Sequence, residues 1–96
     1  MSDLANDVSA INFVAADSPD TAVGRRTRVV GMSVTTSATA GSVELKDGSG
    51  GTVRLKIVTP ASVGLHDVVV PGDGILFNSE VYCTLANVTS VTIFYA

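Results

Sequence analysis

Ninety-six residues carry six basic and nine acidic side chains, for a formal net charge of −3 and a pI near 4.7. That length supports one hydrophobic core and is too short for two. The acidic balance argues against a duplex nucleic-acid binder, which needs a concentrated basic surface. Val, Ile and Thr supply about thirty residues, and β-branching favours strands over helices. No long window shows a 3.6-residue apolar period, so the expected class is all-β, an antiparallel sandwich in preference to a closed barrel. No apolar run reaches the eighteen or so residues that a membrane helix needs, and one cysteine excludes an intrachain disulfide.

Residues 1–21 differ from the rest. Asp3, Asp7, Asp17 and Asp20 put four of the nine acidic residues here with no basic one. The first ten residues do not read as a signal peptide, which leads to the expectation of synthesis in a cytosol-like compartment. Ile11 and Phe13 suit one face of a short strand, and Ser18-Pro19-Asp20-Thr21 reads as a break. This segment is either an edge strand or an arm that docks on a neighbouring subunit, with Phe13 as its anchor. Residues 22–96 read as a single β-sandwich domain.

Arg25, Arg26 and Arg28 place three of the six basic residues within four positions. No helix and no aromatic platform accompanies them, which argues against a nucleic-acid groove. A solvated strand start and an interface that pairs with carboxylates are the two readings left. From Val29 to Ser37, Val30, Met32 and Val34 alternate with Gly31, Ser33 and Thr35, the pattern of a long strand.

Val43 to Val58 gives the strongest local signal. Val43 and Leu45 alternate with Glu44 and Lys46, Asp47-Gly48-Ser49-Gly50-Gly51 reverses the chain, and Val53, Leu55 and Ile57 alternate with Arg54 and Lys56. This is a half-buried antiparallel hairpin. With the preceding strand it predicts a meander or part of a Greek key. Pro60 ends the run. Residues 66–70 form a short strand, Pro71-Gly72-Asp73-Gly74 a turn, and Ile75-Leu76-Phe77 resumes extension. Val81, Cys83 and Leu85 share one strand face, and Val91, Ile93 and Tyr95 share another. Tyr82, Phe94 and Tyr95 then include aromatics directed away from the domain's own core, as is common at subunit contacts.

Chemistry is scarce. His66 and Cys83 are the only residues of their types and fall in separate predicted strands. No serine lies in a nucleophile-elbow pattern, no Cys or His pair has zinc-ligand spacing, and neither Asp-Gly turn continues as a calcium loop. We expect no catalytic residue, no metal and no cofactor. Low charge density and edges in need of cover point instead to self-association.

The stretches 31–35 (GMSVT), 41–48 (GSVELKDG), 71–77 (PGDGILF) and 88–95 (VTSVTIFY) resemble, in order and spacing, short virion structural proteins of tailed bacteriophages, many of marine and cyanobacterial hosts. The resemblance covers about the last two thirds of the chain and carries no catalytic motif. It implies a jelly-roll-like sandwich, with an immunoglobulin-like one as alternative. It also implies a capsid decoration or cement protein, located on the virion after synthesis in the host cytoplasm. The partners expected are further copies of the chain, a trimer favoured, and the major capsid protein or other virion proteins. Phe13, Arg25, Arg26, Arg28, Tyr82, Phe94 and Tyr95 are the candidate interface residues. A tail or fibre-base component is the alternative within that class, and a carbohydrate- or receptor-binding module using Tyr82 and Tyr95 the alternative outside it.

Overall fold

Nine strands form over residues 8–96, the part of the chain that the computed structural model describes. They are β1 (Ser9–Val14), β2 (Asp20–Val23), β3 (Thr27–Thr36), β4 (Gly41–Asp47), β5 (Val53–Thr59), β6 (Gly64–Val69), β7 (Ile75–Phe77), β8 (Val81–Ala86) and β9 (Val88–Tyr95). Sheet A runs β1-β9-β3-β6, with the short β7 also on β3, and sheet B runs β2-β8-β4-β5.

The pairings nest. β4 pairs with β5, β3 with β6, β2 with β8 and β1 with β9, all antiparallel. A long hairpin paired in this way rolls up when β9 also joins β3 and β8 joins β4. That order is a jelly roll, the first of the two sandwich types expected, and it replaces the immunoglobulin-like alternative. β3 and β4 lie in opposite sheets, so residues 30–58 are not a meander: the Ser37–Ala40 link crosses between layers, and the β4–β5 hairpin alone stays in one.

Alternation fills the space between the sheets. Val43 and Leu45 from β4, Val81 and Cys83 from β8, and Val91 and Ile93 from β9 are all fully buried, as is Phe77 from β7. Each such side chain contributes about 1.5–3 kcal/mol by leaving water. Strict alternation fails once in β3. Val29 lies opposite Tyr95 and Gly31 opposite Phe94, so Val30 is an extra residue in the ladder. This β-bulge changes the phase. Thr27 and Val29 point inward before it and Met32, Val34 and Thr36 after it, which leaves Val30 out of the inward set in which period two alone places it.

The turns use the residues that their backbone demands. Gly48 takes φ +90°, the Gly51 N–H donates to the Gly48 carbonyl at 3.1 Å, and the Asp47 N–H donates to the Thr52 carbonyl at 3.0 Å. Asn87 alone separates β8 from β9 and adopts φ 54°, the left-handed conformation that Asn tolerates better than most residues.

The described part of residues 1–21 belongs to the sandwich. β1 is an edge of sheet A, β2 is an edge of sheet B, and the expected boundary at 21/22 falls inside β2. Phe13 is 4% exposed and packs in the domain's own core. A residue buried there offers no anchor to a neighbouring subunit. Asp3 and Asp7 lie outside the described residues.

Candidate interaction surface

The outward face of sheet A is built by the residues that alternate with the core. Register places them in rows across the four strands. Val69, Gly31, Phe94 and Ala10 form one row; Asp67, Ser33, Thr92 and Asn12 the next; Leu65, Thr35, Ser90 and Val14 the third. The first row is apolar, and the third has apolar residues, Leu65 and Val14, at the two edges with Thr35 and Ser90 between them. Val69 is 84% exposed, Leu65 68% and Phe94 37%, and Val14 is exposed at the edge.

Gly31 shapes the first row. A Cβ there would lie 2.9 Å from the Val68 carbonyl, so the bare backbone lets β6 approach at this position, while the Phe94 ring, 4.0 Å away, would be in ordinary contact. Val8, Val30, Gly31, Val69 and Phe94 then help to line an open groove of about 460 Å³. The middle row is polar and tied together across strands. The Ser33 hydroxyl donates to Asp67 Oδ1 at 3.0 Å, and Asn12 Nδ2 donates to Thr92 Oγ1 at 3.2 Å.

At one end of this face lies the arginine corner. Arg28 follows the outward phase of β3, and its backbone exchanges hydrogen bonds with Ala96 at 3.1 and 2.8 Å. Arg26, Thr27, Arg28, Leu76 and Ala96 enclose a cleft of about 130 Å³. The Arg25 guanidinium lies 5.7 Å from the centre of the Tyr95 ring, a cation–π contact. Of the seven candidate interface residues, Arg26 and Arg28 thus share this cleft and Arg25 covers Tyr95, which is no outward aromatic because it keeps step with Val91 and Ile93 and packs against the core. Tyr82 is elsewhere, half-buried on the outward face of sheet B between Thr21 and Lys46.

Sheet B is a charged contrast. Lys56 and Glu44 pair at 3.7 Å across β4 and β5. Asp47 accepts the Ser79 N–H at 2.8 Å and the Asn78 N–H at 3.1 Å, with Arg54 at 3.8 Å. The Ser79 N–H is the main reason that its carboxyl is held below the usual value, against a smaller desolvation effect in the other direction, with Asn78, Glu80 and Arg54 adding to the lowering. This carboxylate clamps the β7–β8 corner onto the hairpin.

His66 is exposed on β6 and Cys83 is buried in β8. Burial pushes the Cys83 thiol up to about 12, which keeps it protonated and inert at neutral pH. Among the described residues, no three His, Cys, Asp or Glu side chains gather as a metal site, and no helix is long and apolar enough to cross a membrane.

Sequence reasoning missed Val69, Leu65 and Val8 as surface residues. Val68-Val69-Val70 offers no alternation from which to phase the strand. Leu65 beside Gly64 had a usable signal, since it keeps step with Asp67, but the strand was expected to begin at His66. No family model, curated protein or solved structure matches the chain.

Proposed function

We propose that this chain is a non-enzymatic structural protein of a tailed-phage virion, a decoration or cement subunit that self-associates and docks on the capsid surface. The apolar outward face of sheet A, next to the arginine corner, is the observation that carries this reading. Free soluble sandwiches keep an outward face polar, whereas this one carries one apolar row, Val69, Gly31, Phe94 and Ala10, with Leu65 and Val14 exposed at its two edges. The resemblance of residues 30–95 to short virion proteins supports the same conclusion. The sparse charge of the chain is what a subunit covered by neighbours requires. In this reading Arg25, Arg26 and Arg28 meet carboxylates of the major capsid protein or of another virion protein, as arginine does at directional contacts. The assembly is a closed homo-oligomer, with a trimer favoured.

The carbohydrate-binding alternative draws on Tyr82 and Tyr95 as stacking platforms. One face of Tyr95 already carries Arg25, and Tyr82 is half-buried among Thr21 and Lys46, so the geometry favours the structural reading. Mass spectrometry and immunogold labelling of purified particles test it. The protein is expected in stoichiometric copies over the head. Its absence from washed particles overturns the proposal, and labelling confined to the tail transfers it to a tail or fibre-base role.

A further inference from the structure

Four strands lie at sheet edges, and they are guarded unequally. β2 has only four residues and a register shift, and β5 carries a register shift together with Arg54 and Lys56. Bulges, shortness and charge are the usual means of blocking a stray strand. The two edges of sheet A have less protection, with Asp67 of β6 as their one formally charged residue. β1 and β6 are six residues each, neither has a register shift against its partner, and neither contains Lys, Arg or Pro.

Their backbone groups can be placed by counting. The Val30 carbonyl accepts the Val70 N–H, and alternation along the β3·β6 ladder then directs Leu65, Asp67 and Val69 to the outer edge. Ala96 exchanges both hydrogen bonds with Arg28. Counting back, Tyr95, Ile93 and Val91 bond toward β1, onto Ser9, Ile11 and Phe13. The N–H and C=O groups of Ala10, Asn12 and Val14 therefore point to the other edge. Among the described residues, no strand pairs with either edge.

We propose that sheet A continues from one copy of the chain into the next, β1 pairing with β6 of a second copy in the register Ala10–Val69, Asn12–Asp67, Val14–Leu65. Three antiparallel pairings separate β1 from β6 within one copy, so the two edges run in opposite directions and the new pair is antiparallel as well. All three matched positions bring outward-directed backbone groups face to face. The rows of the outer face continue unbroken. Ala10 meets Val69 and Val14 meets Leu65, apolar on apolar. Asn12, which uses one N–H on Thr92, has a second to donate to the free oxygen of Asp67, whose Oδ1 already accepts from Ser33. Each copy offers one β1 and one β6, so the contact is heterologous and produces a closed ring, or a filament if the rotation does not close. This inference deepens the self-association half of the proposed function and rests on it.

The test is directed disulfide formation in the full chain. Within one copy, Ala10 and Val69 are three strand spacings apart, about 14 Å, beyond the roughly 7 Å that a disulfide can bridge. In Ala10→Cys/Val69→Cys, any cross-link is therefore between copies. Oxidation should link this variant into dimers and larger species, and should leave Ala10→Cys/Leu65→Cys unlinked. A second variant, Leu65→Lys/Val69→Lys, changes two side chains that are mostly solvated. It should keep the wild-type melting temperature at low concentration and sediment as a monomer. Wild-type protein that sediments as a monomer at every concentration overturns both this pairing and self-association. A wild-type oligomer that survives the double lysine change, or that links the shifted pair instead, overturns the pairing and leaves self-association standing.

Discussion

Phe77 gives the most direct measure of whether the core is assembled as described. It is the bulkiest of the fully buried side chains, at 0% exposed, and it comes from a strand of three residues, Ile75–Phe77. Phe77→Ala removes a ring that the surrounding strands cannot close over, because β3 is held on its far side by β9. Loss of transfer energy plus the residual cavity costs about 3–5 kcal/mol. A chain of this length has a total stability of about 5–14 kcal/mol, so the variant loses a large share of it. At about 4–8 °C per kcal/mol for a domain of this size, the melting temperature should fall by about 12–40 °C. Phe94→Ala is the internal control. Phe94 is 37% exposed on the outward face, and scaling the full-burial value of about 1.5–3 kcal/mol gives a loss of about 1–2 kcal/mol. Urea unfolding of the two variants, followed by circular dichroism, checks the difference. If Phe94→Ala proves the more damaging, the faces of β7 and β9 are assigned the wrong way round and the argument fails.

Three further outcomes are expected. Gly41→Ala would drive a Cβ into the Ala86 carbonyl and against Asn87; with backbone unable to yield, it should cost about 1–3 kcal/mol or more, read as a lowered urea midpoint. The Asp47 carboxyl is depressed below its ordinary 3.8, so its contribution is present above that value and is lost as pH falls through the lower folded value. The stability gap between wild type and Asp47→Asn should accordingly shrink below about pH 4, and a gap that is constant from pH 6 to 2 would refute the clamp. Cys83, with its thiol pushed up to about 12, should not react with a disulfide reagent at pH 8 in the folded protein and should react fully in urea. Rapid reaction of the native chain would contradict its burial.

Local pattern made some of this fold legible and left the rest hidden. The hairpin of β4 and β5 could be read whole, since charge and apolarity alternate on both sides of a glycine turn. β8 and β9 could be phased in the same way from Val81, Cys83, Val91 and Ile93. Val30 misled because a bulge is an extra residue, and nothing in a run of β-branched side chains marks which one is extra. The triple valine at 68–70 concealed Val69 for a similar reason. Phe13 illustrates a different limit. Its need for burial was evident, but its destination was β9, about eighty residues away, and no local signal specifies a partner at that distance. The crossing from one sheet to the other between β3 and β4 is hidden likewise, since Ser37 to Ala40 suits a link of either kind. At the candidate surface, the clustered arginines could be seen, whereas the contacts of Arg25 with Tyr95 and of Arg28 with Ala96 depended on β3 and β9 being neighbours.

The nested pairing has a consequence for how the chain is made. β9 lies between β1 and β3 in sheet A, yet of the nine strands described it comes last along the chain. Until Val88–Tyr95 emerges, β1 has no partner and β3 has only β6 and β7. The β4–β5 hairpin can form early, because its strands are close in sequence, but each later layer must wait for a strand further along. Such non-local topology folds slowly and leaves apolar strands uncovered in the meantime. Sheet A therefore closes only once residues 88–95 have been made, and deleting that segment would take a strand from its centre.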